Sequence, residues 1–176
     1  MKPIPLTLLV CVLAAACAWV HSIGFADDDM NDDAKRAKIE AMYRGYKKDF
    51  ADATDIAPSE AMELYKAGRV VFVDVREEKE QEVSMLPGAV TEKEFLENPD
   101  RYRDKVLIGY CTISYRSGKL AQKLRVRNID MQNLEGGLLA WVHAGGKVYD
   151  RNGETRRIHV YGRKWNLGPK DYEAVW

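Results

Sequence analysis

Apolar and polar positions divide this chain into two regimes. Ile4 to Val20 is an almost unbroken apolar run, interrupted by Pro5 and Thr7, with no polar face of the kind a packed helix shows. From Ala34 onward the pattern becomes periodic. Ile39, Met42, Tyr43, Tyr46 and Phe50 recur at helical spacing among Lys and Arg, which predicts an amphipathic helix over Ala34 to Phe50. Pro58 and Gly68 bracket a second helix, Ser59 to Ala67. Val70 to Val75 and Val106 to Tyr110 are continuous β-branched or aromatic runs, the pattern of strands buried on both faces. A charged stretch lies between them, with a turn at Pro87-Gly88 and a short helix near Glu92 to Glu97. Leu120, Ala121 and Leu124 mark a helix starting near Arg116, and Asp130 to Leu134 reads as a third strand. Gly136-Gly137 then opens a helix through Leu139 and Trp141 to Gly145. Strands alternating with helices predict an α/β domain on a parallel sheet. Beyond it, Asn152-Gly153 marks a hairpin, and Ile158 and Val160 alternate with Arg157, His159 and Tyr161. An aromatic and basic tail follows, Gly162 to Trp176, whose aromatics are expected to pack back on the domain.

The chain has 176 residues, within the usual size of one domain. Lys2, the apolar run and the small-residue exit Gly24-Phe25-Ala26 before Asp27-Asp28-Asp29 have the order of an export signal. Residues 1–26 are therefore expected to be a signal peptide or anchor, and the protein to reside in the periplasm or cell envelope. Cleavage near Ala26, membrane attachment through this segment and lipidation at Cys17 all stay open. Residues 27–54 form an N-terminal helical segment, 55–147 the α/β domain and 148–176 a C-terminal extension. The 27 basic and 27 acidic residues cancel, which argues against a broad electrostatic partner. Arg156, Arg157, Arg163 and Lys164 near Tyr161 and Trp165 are accordingly not taken as a nucleic-acid surface. His143 and His159 are isolated in sequence and show no metal-ligand spacing, so neither a metal nor a cofactor is expected.

Cysteine usage sharpens the picture. Cys11 and Cys17 fall in the N-terminal run, so a chain starting near Asp27 keeps Cys111 alone. A lone thiol in an oxidising compartment is open to damage, and its surroundings decide whether it has a use. Cys111 follows directly on a buried strand and precedes a helix, at the carboxyl edge of the sheet where α/β ligands bind. Unpaired amides and the positive end of the helix there favour the thiolate, which is the nucleophilic form. Thr112, Ile113, Ser114, Tyr115 and Ser117 form the anion-binding loop, and Arg116 adds a planar fork of donors.

Cys111-Thr112-Ile113-Ser114-Tyr115-Arg116-Ser117 resembles the active loop of rhodanese-like domains, the sulfurtransferase fold. Three further pieces are similar in order and spacing. Phe72 to Glu77 resembles the family's first core strand, Leu86-Pro87-Gly88-Ala89 its Pro-Gly-Ala turn, and Leu134 to Trp141 its closing segment. The likeness covers roughly residues 55–147. It departs at Met85, where the family often has His, and at Ser114, where many relatives have Gly. Serine reaches positive φ less easily than glycine, which puts the shape of the cradle and the substrate preference at issue.

The resemblance implies a sulfurtransferase. Cys111 would take the outer sulfur of a small anionic donor such as thiosulfate as a persulfide, and a thiol or cyanide would remove it. Arg116 and the loop would hold the anion, while Asp74 and Arg76 would brace the loop from the neighbouring strand. Related phosphatases carry one more residue between Cys and Arg than the four here, a poorer fit to phosphate. A non-turnover sulfur carrier or protein-binding module is the alternative.

Overall fold

A computed structural model describes residues 30–176. The expected export segment, with Cys11 and Cys17, lies outside the described residues. The amphipathic stretch forms α1 (Asp32–Lys47) and then tightens into a single 3-10 turn, Lys48–Phe50. Such tightening is common at helix ends. Ile39, Tyr43 and Phe50, all on its apolar stripe, are buried.

The sheet has five parallel strands in the order β1-β5-β4-β2-β3. These are β1 (Asp55–Ile56), β2 (Val70–Asp74), β3 (Val90–Thr91), β4 (Val106–Tyr110) and β5 (Met131–Leu134). The two long apolar runs are the central pair, with Phe72 opposite Ile108 and Val73 opposite Gly109. Strand side chains alternate in direction, so each run feeds two cores. Val73, Leu107 and Met131 share one core with Phe50, Phe95, Leu120 and Leu124. On the other face Phe72 meets Trp141 edge-on, with ring centroids 5.1 Å apart.

The helices that cover these faces are α2 (Pro58–Lys66), α3 (Glu78–Gln81), α4 (Glu92–Glu97), α5 (Tyr115–Arg125) and α6 (Gly137–His143). α2 starts on Pro58, at the position where the missing amide costs nothing, and stops before Gly68 at φ 66. β1 and β3 are two residues each, too short for a period to reveal them.

The C-terminal segment is built onto this domain. Asn152-Gly153 does turn a hairpin, between β6 (Val148–Asp150) and β7 (Gly153–Thr155). β8 (Arg157–His159) then pairs in parallel with β9 (Glu173–Val175), so the tail returns to the strand that opened it. Ile158 and Val160 are buried as their alternation predicts, but His159 is buried as well. Lys35 donates to the Gly168 carbonyl at 2.8 Å, and the Lys170 amide donates to Asp32 at 3.1 Å, tying the tail to α1. Among the described residues no helix is long and apolar enough to cross a membrane.

Docking of the N-terminal segment depends on one missing side chain. A Cβ at Gly118 on α5 would stand 2.4 Å from the fully buried Phe50 ring. Gly118→Ala gains helix propensity but overpacks this contact, and should lower stability by roughly 1–2 kcal/mol. Urea denaturation checks this; an unchanged or higher midpoint would mean that Phe50 yields without cost.

Candidate active site

Cys111 lies one residue beyond β4, and α5 begins at Tyr115. The intervening loop is held by its carbonyls. The Leu138 amide donates to the Cys111 carbonyl at 2.9 Å and the Leu139 amide to Thr112 at 3.2 Å. Both amides belong to the first turn of α6, where no intrahelical acceptor exists. Gly137 makes the approach feasible: a Cβ there would be 2.4 Å from the Cys111 oxygen, and its φ of 57 suits glycine.

Ser114 does adopt the left-handed conformation, at φ 78, as the N-cap of α5. Its hydroxyl donates to the Leu134 carbonyl and makes no capping bond. The arrangement offsets the strain and has a chemical consequence. A capping oxygen would occupy the first amides of α5; with the hydroxyl turned away, that helix end stays open to an anion. Ser117 is likewise committed below the loop, donating to Asn133 at 2.7 Å. Cys111, Thr112, Ile113, Tyr115 and Arg116 share a cavity of about 230 Å³; the Ser114 and Ser117 side chains do not line it.

Asp74 and Arg76 stand below this loop as a buried pair. Arg76 donates to Asp74 from Nε at 2.9 Å and from a terminal nitrogen at 2.7 Å, and reaches the Ser84 carbonyl at 2.5 Å. Tyr110 donates its hydroxyl to the same carboxylate at 2.5 Å and accepts from the Leu86 amide at 3.1 Å. Burial first, and then the Asp74 charge, push the Tyr110 phenol well above its ordinary range, so it stays a donor. This network fixes residues 76–86 against the end of β4, and with them α3.

α3 carries the group that sequence reasoning missed. Glu80 lies in a run of charges that reads as a solvated surface, yet it is fully buried. Arg116 donates to it twice, at 2.6 and 2.8 Å, a two-pronged pair. Thr112 donates to Glu80 at 3.1 Å, and so does the Glu77 amide at 2.9 Å. Burial pushes the Glu80 carboxyl up, but the Arg116 bonds, the Glu77 amide and the charges of Arg116 and Arg76 together hold it at about 2. Burial also opposes the Arg116 charge, and the bonds to Glu80 with the charges of Cys111 and Glu80 outweigh it, so its pKa is raised. The positive charge expected over Cys111 is thus shared with a carboxylate, and Arg116 is fixed in place.

The tail completes the cavity. Tyr161 and Trp165 from the extension and Tyr46 from α1 form its remaining wall. The two histidines among the described residues have structural places. His143 Nε2 is 2.7 Å from the Leu167 carbonyl. His159 Nδ1 accepts the Tyr161 amide at 3.1 Å, with Glu80 3.9 Å away. Burial holds His159 below its ordinary range against the pull of Glu80, which keeps that nitrogen an acceptor. Among the described residues no cluster of metal-ligating side chains occurs.

Three comparisons bear on this site. A family model for the rhodanese-like domain matches residues 57–144, half of the chain. An uncharacterized protein of Synechocystis sp. is 36% identical over 94 residues, 51% of this chain and 52% of that protein. The tRNA uridine(34) hydroxylase of Kocuria rhizophila is 34% identical over 127 residues, 65% of this chain and 42% of that one. The chain therefore spans about half the length of the curated relatives it matches. Among solved structures, a thiosulfate sulfurtransferase of Pseudomonas aeruginosa superposes with a TM-score of 0.51 at 18% identity, over 65% of this chain and 23% of that one. That likeness speaks for the fold.

The Glu80 clamp has a pH signature. Its folded pKa of about 2 lies below the ordinary 4.5, so its stabilisation is complete above pH 4.5 and is lost as pH falls toward 2. Glu80→Gln should cost about 2 kcal/mol at neutral pH, less than a fully buried pair because Arg116 is 31% exposed. The gap between wild type and variant should close over that acid window. Denaturation at stepped pH measures it, and a gap independent of pH would contradict the clamp.

Proposed function

Because this chain belongs to the rhodanese-like domain family, we propose that it moves sulfane sulfur from an anionic donor to a thiophilic acceptor through a persulfide on Cys111. One observation carries the reading. The only cysteine among the described residues lines an open cavity beside an uncapped helix N-terminus, with Arg116 held by Glu80.

With thiosulfate as donor, the Cys111 thiolate attacks the outer sulfur. A bond forms between the two sulfurs, the donor's own sulfur–sulfur bond breaks, and sulfite leaves with the electron pair. Cyanide or a cellular thiolate then attacks the outer sulfur of the persulfide and returns Cys111 to the thiolate; with cyanide the product is thiocyanate. The loop amides and the fixed guanidinium stabilise negative charge as it moves from thiolate to leaving group. No oxidant or cofactor enters either step.

Cyanide-dependent thiocyanate formation tests this. Cys111→Ser should abolish it, since a hydroxyl without a base is a far weaker nucleophile. Arg116→Lys keeps the charge but loses the two-pronged geometry, and should lower kcat/KM about 10²-fold. Equal rates in wild type and Cys111→Ser would sink the proposal and favour a binding module.

We further propose that the protein works in the cell envelope, on the strength of the apolar run before Asp27. N-terminal sequencing should find the chain in the envelope fraction, starting near Asp27. A cytoplasmic chain starting at Met1 would overturn this.

A further inference from the structure

His159 touches two parts of the site that the sulfur chemistry proposed above leaves unconnected. It closes β8, and its ring is buried. Nδ1 accepts the Tyr161 amide at 3.1 Å and lies 3.9 Å from Glu80, the carboxylate that holds Arg116. A ring nitrogen that accepts carries no proton, so the neutral ring keeps its proton on Nε2. Tyr161 depends on this acceptor. Its φ of 68 is costly for a bulky residue and persists only where the surrounding bonds over-determine it. One further tie is the Gly162 amide, which donates to the Val160 carbonyl at 2.8 Å. The turn sets the Tyr161 ring edge-on to Trp165, with centroids 5.2 Å apart, and 5.4 Å from the Arg116 guanidinium. Both rings line the cavity over Cys111. Trp165 Nε1 is buried with no hydrogen-bond partner among the described residues, so packing alone shields it.

A proton on Nδ1 has no good place in this arrangement. It faces the Tyr161 amide, donor against donor. Glu80 is no substitute acceptor, because each of its oxygens already receives two bonds. Oε1 takes Arg116 and Thr112, and Oε2 takes Arg116 and the Glu77 amide. A carboxylate offers about four such sites, and all are filled. Burial is the main force against an imidazolium here. Glu80 pulls for it, while Arg76, Lys79 and Arg116 push against it, so the ring titrates below its ordinary 6.5. On β9 its register partner is Val175, which carries no charge. We propose that His159 is an acid-sensitive positioning residue: protonation at Nδ1 releases the Tyr161 turn and opens the aromatic wall over Cys111. Once the turn has moved, the ring meets water and its pKa returns toward the ordinary value, so opening and protonation are linked. Above pH 6.5 the ring is neutral in both states and the wall is fully favoured closed. As pH falls from there toward the lower pKa of the closed state, the closed-to-open ratio drops by up to about tenfold per pH unit.

NMR of the isotope-labelled full chain, stepped from about pH 8 to about pH 5, reads ring and wall together. His159 should titrate below 6.5, with the proton of its neutral form on Nε2. Exchange protection of the Tyr161 amide, corrected for the intrinsic rate, should fall by up to about tenfold per pH unit below that value. The Trp165 indole signal should move with the same midpoint. His159→Asn places a side-chain oxygen near the Nδ1 position and does not titrate, so both signals should stay flat in that variant. Alkylation of Cys111 by N-ethylmaleimide supplies a second readout. Taken as the ratio of wild type to His159→Asn, which cancels the thiolate titration common to both, it should rise severalfold between about pH 7.5 and about pH 5.5. A His159 midpoint at or above 6.5, or Tyr161 protection that the titration leaves unchanged, would overturn the proposal. Equal pH responses in wild type and His159→Asn would do the same. Should the variant fail to fold, the wild-type titration alone decides. None of these readouts requires sulfur transfer, so a chain that takes up no sulfur still tests the wall.

Discussion

Glu80 meets Arg116 through two parallel hydrogen bonds inside the protein, while Thr112 and the Glu77 amide satisfy the remaining demand of the carboxylate. A buried charge is tolerated only when paired and fully hydrogen-bonded, and the partners here come from two places, the residue that caps α3 and the loop that leads into α5. For Glu80 to arrive at all, α3 must be fixed, and the Asp74–Arg76–Tyr110 network does that from β2 and β4. For Arg116 to arrive, α5 must start where it does, which requires Ser114 at φ 78 and the loop carbonyls tied to α6. The logic is mechanical: β2 and β4 fix α3, the loop sets the start of α5, and the two helices meet at a single carboxylate. The placement of Arg116 beside Cys111 is a consequence of that meeting.

The extension belongs to the same economy. β8 packs against α3, and His159 lies beside Glu80 while accepting the Tyr161 amide. The segment that shapes the cavity wall therefore also touches the group that positions Arg116. The N-terminal helix contributes Tyr46 to the wall and Asp32 to the anchoring of the tail. Both flanking segments thus serve the loop, beyond the span of residues 57–144 that the family model matches.

Much of this was legible in the residues. The continuous apolar runs Val70–Val75 and Val106–Tyr110 named the central strands, because a strand covered on both faces has no reason to alternate. Cys111 and Arg116 were legible from their place between strand and helix, and Ser114 because a glycine-like conformation was expected there. Glu80 was not, since one carboxylate in the run Glu77-Glu78-Lys79-Glu80 carries no local mark of burial. Its burial is decided by Arg116, 36 residues away. Tyr161 and Trp165 were legible as aromatics that pack back, but the parallel return of β9 onto β8, which aims them, has no periodic signature. Ser117 was read with the substrate loop, and its hydroxyl is instead spent on Asn133.

The proposed sulfur transfer requires Cys111 to carry the sulfur between the two halves of the reaction. Intact mass spectrometry of the purified chain, after thiosulfate and again after cyanide, measures that directly. The prediction is the gain of one sulfur atom on the peptide containing Cys111 and its complete loss on adding cyanide. A mass that does not change with any sulfane-sulfur donor, or a sulfur that appears elsewhere in the chain, would contradict it.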